Sequence, residues 1–420
     1  MATELQATPP AMAELRIAAR AACPDGLLDL SRSEPLPIPL SEACAERVAE
    51  QFMRARQYSP SAGLAAVRDA AARYASARTG LEIDSADVTI TAGAMAGLAV
   101  ALRALIEPGD EVLVPVPYFH SYPKQVSMLG GVPRLVDARP RQGELTPEAI
   151  ERELTPRTRA LLLCNPSNPA GAMLDRERLA AILAVLPPEV AVIADEVYAE
   201  YVYGDRDGDR ANAAGGGDDQ TPANAGAALS SAGFVSVLAV AADEDAGREV
   251  VALDTASKTA AMPGWRVGTA TATPGLAPRL AQAAATLSGA PNTLAQLAFA
   301  AWLDDPPRLD RMAPYRPRLR DVLDPLTDAG LTVRPPDGTY YVWVTATEHD
   351  GPTFGSPDTA LELARRAGVL VWPGALFGDL RSVRVSLGVP RRELRDGVRR
   401  LTDSWREVRE GDVPISRPRR

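Results

Sequence analysis

Between Asp87 and Ala272 the chain alternates short β-type apolar runs with helical stretches, and this alternation most restricts its fold. Runs at Asp87–Thr91, Glu111–Pro115, Arg134–Asp137, Ala160–Cys164, Val190–Ala194, Val250–Leu253 and Val267–Ala272 read as strands. An Ala/Leu-rich helix opening at Ala94, and helices at Pro147–Glu153 and Arg176–Leu186, lie between them. Repeated strand–helix units imply a mainly parallel sheet covered on both faces. In such sheets ligands bind at the carboxyl ends of the strands. Gly93, Phe119, Asn168, Asp195 and Lys258 each fall just after a predicted strand, so the topology gathers them at one edge.

The most informative of these is Lys258. A lysine held after a buried strand is a candidate Schiff-base amine, because desolvation and nearby cations lower its pKa and leave it nucleophilic. Thr255 and Ser257 precede it and Arg266 follows eight residues later, a set that suits a phosphate monoester. The strand to Thr91 meets Gly93-Ala94-Met95, where a helix N-terminus offers free N–H groups and a positive dipole end to an anion. Each residue alone has an ordinary reading. Lys258 reads as a solvated lysine, Gly93 as a tight turn, Asp195 as a helix cap and Arg384 as a surface arginine. The shared position of Gly93, Asp195 and Lys258 at strand ends is the argument for one site.

Before this region, helices are expected near Met12–Ala22, over Ser41–Arg56 with Ser41 as N-cap, and over Leu64–Arg78. Gly204–Gly226 is low in complexity and reads as a surface loop. Helices near Leu276–Leu287 and Pro291–Trp302 follow Lys258. From Pro307 the pattern changes to a long Arg-rich helix (Arg308–Ala329), strands at Leu331–Arg334 and Tyr340–Val344, and a helix at Asp358–Ala367. Strands at Val369–Pro373 and Ser382–Leu387 and a last helix, Arg391–Arg409, complete an α+β unit.

A length of 420 residues fits one large and one smaller domain. The net charge of −9 argues against nucleic acid as a partner. Cys23, Cys44 and Cys164 are odd in number and lack metal or CxxC spacing, which fits a reducing compartment without disulfides. Two histidines, His120 and His349, leave little material for a His-rich metal site or a serine–histidine hydrolase, and no metal is expected. No apolar run has membrane-span length and no signal-peptide pattern opens the chain, so the expected location is cytoplasmic.

Thr255-Ala256-Ser257-Lys258, Gly264-Trp265-Arg266-Val267-Gly268, Asp195-Glu196-Val197-Tyr198 and Ser382-Val383-Arg384-Val385-Ser386 together resemble the aspartate aminotransferase family. These are fold type I enzymes using pyridoxal 5′-phosphate (PLP), and the resemblance covers nearly the whole chain. It implies an α/β fold with a large domain on a mainly parallel seven-stranded sheet and a smaller α+β domain. Residues 46–290 would form the large PLP-binding domain, with 1–45 and 291–420 forming the small one.

The resemblance also implies roles. Lys258 would carry PLP as a Schiff base and shuttle the substrate α-proton. Asp195 would pair with the pyridinium nitrogen, Tyr198 and Asn168 would hydrogen-bond the cofactor's phenolic oxygen, and Phe119 would stack on its ring. Gly93, Ala94, Met95, Thr255, Ser257 and Arg266 would hold the phosphate, joined by Tyr58 of a neighbouring subunit in a homodimer. Arg384 would bind the substrate α-carboxylate beside Asn168 and Ser33. The implied reaction moves an amino group from an L-α-amino acid to a 2-oxo acid through pyridoxamine phosphate. C–S lyases, decarboxylases, ring-forming synthases and oxidases of fold type I share the same core motif and remain alternatives.

The sequence departs from the family pattern in three places. Thr255 replaces Gly or Ser, and Ser33-Glu34-Pro35 replaces the usual Gly-Glu-Pro. Asp195 and Lys258 are 63 residues apart, which exceeds the family habit.

Overall fold

The computed structural model of the chain describes residues 12–24, 26–204, 233–243, 247–307, 309–346 and 354–409. Most of the expected low-complexity loop, 205–226, and His349 lie outside them. In chain order the strands are β1 (Leu28–Asp29), β2 (Val88–Thr91), β3 (Glu111–Val116), β4 (Val132–Asp137), β5 (Thr158–Cys164), β6 (Ala191–Asp195) and β7 (Val250–Thr255). They continue with β8 (Gly268–Ala272), β9 (Thr332–Val333), β10 (Tyr341–Thr345), β11 (Val369–Leu370), β12 (Trp372–Pro373) and β13 (Ser382–Ser386).

Seven strands form the central sheet in the order β2-β8-β7-β6-β5-β3-β4. Its pairs are parallel except at β8, which runs antiparallel to both β2 and β7. Side chains alternate between faces, as the two-residue period of a strand requires. Ala160, Leu162, Ile193, Val251 and Leu253 join one core with helices Ala94–Leu105, Tyr122–Met128 and Ala277–Leu287. Leu161, Leu163, Val192, Ala194, Val250 and Ala252 join the other, with helices Pro147–Glu151, Arg176–Val185 and Val237–Asp243. The helices Tyr122–Met128 and Val237–Asp243 are additions to what the sequence predicts.

Register brings the strand ends level. Cys164 pairs with Asp195, Asp195 with Leu253, Thr255 with Gly268, and Gly268 with Thr91. The residues leaving these strands therefore open onto one edge.

A four-stranded antiparallel sheet, β12-β13-β10-β9, and a short parallel pair, β1-β11, make up the second layer system. Leu30 ties the N-terminal segment to both: its N–H donates to Leu370 O (2.9 Å) and its carbonyl accepts from Ser386 N–H (2.8 Å). This fixes the following loop, 31–35, against β13. Helix Thr293–Asp304 packs on helices Glu42–Gln51 and Ala65–Thr79, where Val67, Tyr74, Phe299 and Trp302 share a core.

Three elements differ from the sequence expectation. The Arg-rich helix begins at Arg316 and runs to Asp328, with 309–315 in turns and irregular backbone. Pro314 disfavours helix in the residue before it, whereas Pro317 fits the first turn, where no N–H is needed. The run 369–373 divides into β11 and β12, which pair in opposite senses with β1 and β13. The helix expected over Ser41–Arg56 ends at Gln51 and resumes as a 3₁₀ turn, Arg54–Arg56; Ser41 Oγ caps it by accepting from Cys44 N–H (3.1 Å). No helix among the described residues is long and apolar enough to cross a membrane.

Candidate active site

Gly93, the N-cap of helix Ala94–Leu105, has φ +86°. A Cβ there would lie 3.0 Å from Arg266 Nη2 and 3.6 Å from Thr255 Oγ1. Backbone angle and close approach both call for glycine. Thr255 Oγ1 accepts from Ser257 N–H (3.3 Å) and donates to Ser257 Oγ (3.1 Å). Arg266 Nη1 donates to Ser257 Oγ (3.2 Å) and to Pro263 O (2.9 Å). Two hydroxyls, a guanidinium and the first-turn amides of Ala94 and Met95 thus surround the space above Gly93. That donor set fits a phosphate dianion, at a helix N-terminus whose dipole favours negative charge.

Asp195 stands at the end of β6. Its Oδ2 accepts from the Tyr122 hydroxyl at 2.5 Å, and its Oδ1 accepts from Val197 N–H at 3.4 Å. Burial pushes the carboxyl up to about 6, opposed by the Tyr122 bond and the Lys258 charge. A half-buried carboxylate at a strand end next to that of β7, which leads to Thr255, fits a cationic ring nitrogen. Phe119 lies edge-on to Tyr122 (5.5 Å between centroids) and tilted on His120 (4.4 Å).

Lys258 sits in the one-turn helix Ala256–Thr259 that follows β7. Its Nζ donates to Ser33 O at 2.5 Å and lies 5.7 Å from the ring centroids of Tyr198 and Tyr340. The same carbonyl accepts from the Tyr340 hydroxyl (2.9 Å) and the Tyr341 hydroxyl (3.2 Å).

Arg384, on β13, is 1% exposed. Its Nη1 donates to Asn168 Oδ1 (2.8 Å) and its Nη2 to Ser33 Oγ (3.0 Å), while Nε has no hydrogen-bond partner among the described residues. The guanidinium carbon lies 3.9 Å from the Tyr341 ring centroid and 4.4 Å from that of Trp372. Asn168 Nδ2 donates to the Tyr198 hydroxyl at 3.3 Å, and that hydroxyl meets Tyr341 Oη at 3.3 Å. His120 stacks on Trp372 (5.4 Å), and burial with the charges of Arg384 and Lys124 lowers its pKa to about 4, so the ring is neutral.

Contacts link the expected residues in two groups: Gly93, Thr255, Ser257 and Arg266 at one end, and Lys258, Ser33, Arg384, Asn168 and Tyr198 at the other. Tyr58 stands apart, its side chain fully exposed. Tyr122, Tyr340 and Tyr341 complete the surroundings, although nothing in their local sequence assigns them a role. Tyr122 closes the aromatic cluster Tyr118–Tyr122, in a chain only 5% aromatic, so composition was the available signal. Nothing in the linear order links Tyr340 or Tyr341 to Ser33, some 307 residues away.

The family model for aminotransferase class I and II matches residues 26–401. The chain is 29% identical over 354 residues to the aspartate aminotransferase of Geobacillus stearothermophilus, covering 82% of each chain. The structure of Thermus thermophilus aspartate aminotransferase with maleate aligns at a TM-score of 0.78 and 27% identity, covering 94% of this chain and 97% of that one. The aromatic aminotransferase of Pyrococcus horikoshii OT3 aligns at 0.78 and 25% identity, covering 94% and 99%. The chain therefore belongs to the class I and II aminotransferases, fold type I enzymes that use pyridoxal 5′-phosphate to move an amino group between an amino acid and a 2-oxo acid.

Proposed function

We propose that Lys258 is the residue that carries the cofactor and that Arg384 anchors the substrate α-carboxylate. The observation that supports this most directly is Ser33, which accepts from Lys258 through its carbonyl and from Arg384 through its hydroxyl. One residue thereby spans the distance between the amine and the carboxylate-binding fork. That span suits the geometry of an α-amino acid, whose reacting carbon bears both groups.

PLP, when bound, supplies an electron sink for the electron pair left as the substrate α-proton departs. The chain's own groups do the rest. Thr255, Ser257, Arg266 and the Gly93–Met95 turn would hold the phosphate. Asp195, steadied by Tyr122, would keep the ring nitrogen protonated. Tyr198 and Asn168 would hydrogen-bond the phenolic oxygen, and Phe119 would pack against the ring. The Lys258 amine would take up the substrate α-proton as general base and release it as general acid. The buried fork of Arg384 offers its Nε edge to the carboxylate, a planar donor pair that lysine could not provide.

The domain division 46–290 against 1–45 and 291–420, a homodimer with Tyr58 reaching the neighbouring phosphate, and a cytoplasmic location belong to the same proposal. Full exposure of Tyr58, with Phe52 and Met53 also exposed nearby in sequence, supports a subunit contact there.

The test is anaerobic addition of single L-amino acids to the PLP-loaded protein, with Lys258→Ala as control. One equivalent of 2-oxo acid should be released before any acceptor is present, and adding a 2-oxo acid should restore the starting absorbance. Release of ammonia, carbon dioxide or a thiol instead would sink transamination by this site.

A further inference from the structure

Behind the strand ends that carry Asp195 and Lys258 lies a buried group of charges that the reaction above leaves unused. Arg78, in helix Ala65–Thr79, has a side chain 6% exposed. Its Nη1 pairs with Asp254 Oδ2, and its Nη2 lies 4.0 Å from Glu196 Oε2. Asp254 is four residues before Lys258, and Glu196 directly follows Asp195.

Both carboxylates are built into the turns they end. Asp254 Oδ1 accepts from Thr255 N–H and from the Thr259 hydroxyl, each at 2.6 Å, so it grips the lysine's turn at both ends. Glu196 accepts from Ser236 Oγ (2.8 and 2.9 Å) and from Val237 N–H (2.8 Å), which fastens the end of β6 to helix Val237–Asp243. Glu196 N–H also donates to Leu253 O at 3.0 Å across the β6–β7 seam. Glu200 faces the same group from beyond Tyr198, paired with Arg311 at 3.0 Å.

Two buried carboxylates on adjacent strand ends repel strongly in a poorly screened interior. Arg78 lies between them and contacts both. We propose that Arg78 is a positioning residue for the reaction: by bridging Asp254 and Glu196 it holds the ends of β6 and β7 at the separation that places Asp195 and Lys258 in one site. The inference rests on the assignment of those two residues to the reacting centre. Arg78 has an electrostatic role besides. The Asp254 charge raises the proton affinity of Asp195, and Arg78 offsets that charge at its source.

The experiment compares wild type, Arg78→Gln, and the double variant Arg78→Gln/Asp254→Asn, which restores the wild-type net charge of the group and keeps an oxygen acceptor for Thr255 and Thr259. PLP affinity, the pH titration of the bound cofactor's absorbance, far-UV circular dichroism, kcat and KM are measured. Arg78→Gln is expected to keep its dichroism, to bind PLP at least ~10-fold more weakly and to lose at least ~10-fold in kcat, as small displacements of reacting groups do. Its KM for the amino acid should hold within about twofold, since Arg384 is untouched. Its absorbance titration should move to higher pH. The double variant should bring PLP affinity back to within about threefold of wild type, since the two charges are removed together.

A folded Arg78→Gln with wild-type affinity, titration and kcat overturns the proposal. So does a double variant that folds without recovery, or failure of both variants to fold, which would assign Arg78 to the fold alone. If Arg78→Gln alone fails to fold, recovery in the double variant upholds the proposal. Borohydride-fixed PLP that persists in Lys258→Ala would instead sink the assignment of the reacting centre, independently of Arg78.

Discussion

The Tyr122 hydroxyl donates to Asp195 Oδ2 at 2.5 Å, joining a helix that opens after β3 to a carboxylate at the end of β6. The bond favours the ionised carboxyl, against a burial that would protonate it. Tyr122→Phe removes the donor and leaves the burial. The acid limb of kcat/KM should then move up by about one pH unit, the size expected for a lost hydrogen bond to a charged group. A pH–rate profile of the two proteins checks it, and coincident acid limbs would refute it.

The same carboxyl makes a stability prediction for the protein without PLP. Its folded pKa, about 6, lies above the unfolded value near 4, so the native state binds this proton more tightly. Its stabilising contribution is therefore complete below about pH 4 and is lost as pH rises through about 6. Asp195→Asn carries no such dependence. Melting temperatures of the two apoproteins should diverge in favour of the Asp195→Asn variant between about pH 4 and pH 7 and run parallel above that range. A constant difference across the whole range would show that Asp195 does not titrate as assigned.

Arg384 is held on one arm by Asn168 and on the other by Ser33, and its stacked, buried position suits a planar cation. Arg384→Lys keeps the charge but loses the fork. KM for the amino acid should rise roughly 10- to 100-fold, corresponding to about 1.5–3 kcal/mol for charge-assisted hydrogen bonds, while PLP affinity stays near wild type. Steady-state kinetics beside a PLP titration separate the two. Equal losses in both would argue that Arg384 serves the fold instead.

Gly93 combines φ +86° with Arg266 Nη2 3.0 Å from where a Cβ would sit. Gly93→Ala should cost on the order of 1–3 kcal/mol through the backbone conformation and crowd Arg266 away from the phosphate space. PLP dissociation should speed up, and a thermal melt with and without PLP should show a smaller gain on loading than in wild type. An unchanged gain would remove Gly93 and Arg266 from the phosphate cradle.

Much of this molecule was legible in the order of residues. Strand–helix alternation from Asp87 to Ala272 determined the mainly parallel sheet, because short continuous apolar runs and an Ala/Leu-rich helix are local properties of the chain. The ends of those strands carried Gly93, Asn168, Asp195 and Lys258, so their common edge followed from topology alone. Boundaries that depend on partners did not follow. The run 369–373 is apolar throughout, yet β11 and β12 separate because two different strands claim them. What only the tertiary structure decided is contact across long separations: Ser33 against Lys258 and Arg384, Tyr122 against Asp195, and Arg78 between Asp254 and Glu196. These are half-buried to buried polar pairings, whose strength depends on the loss of water around both partners at once. Local propensity carries no record of that loss, which is set by where the folded layers close.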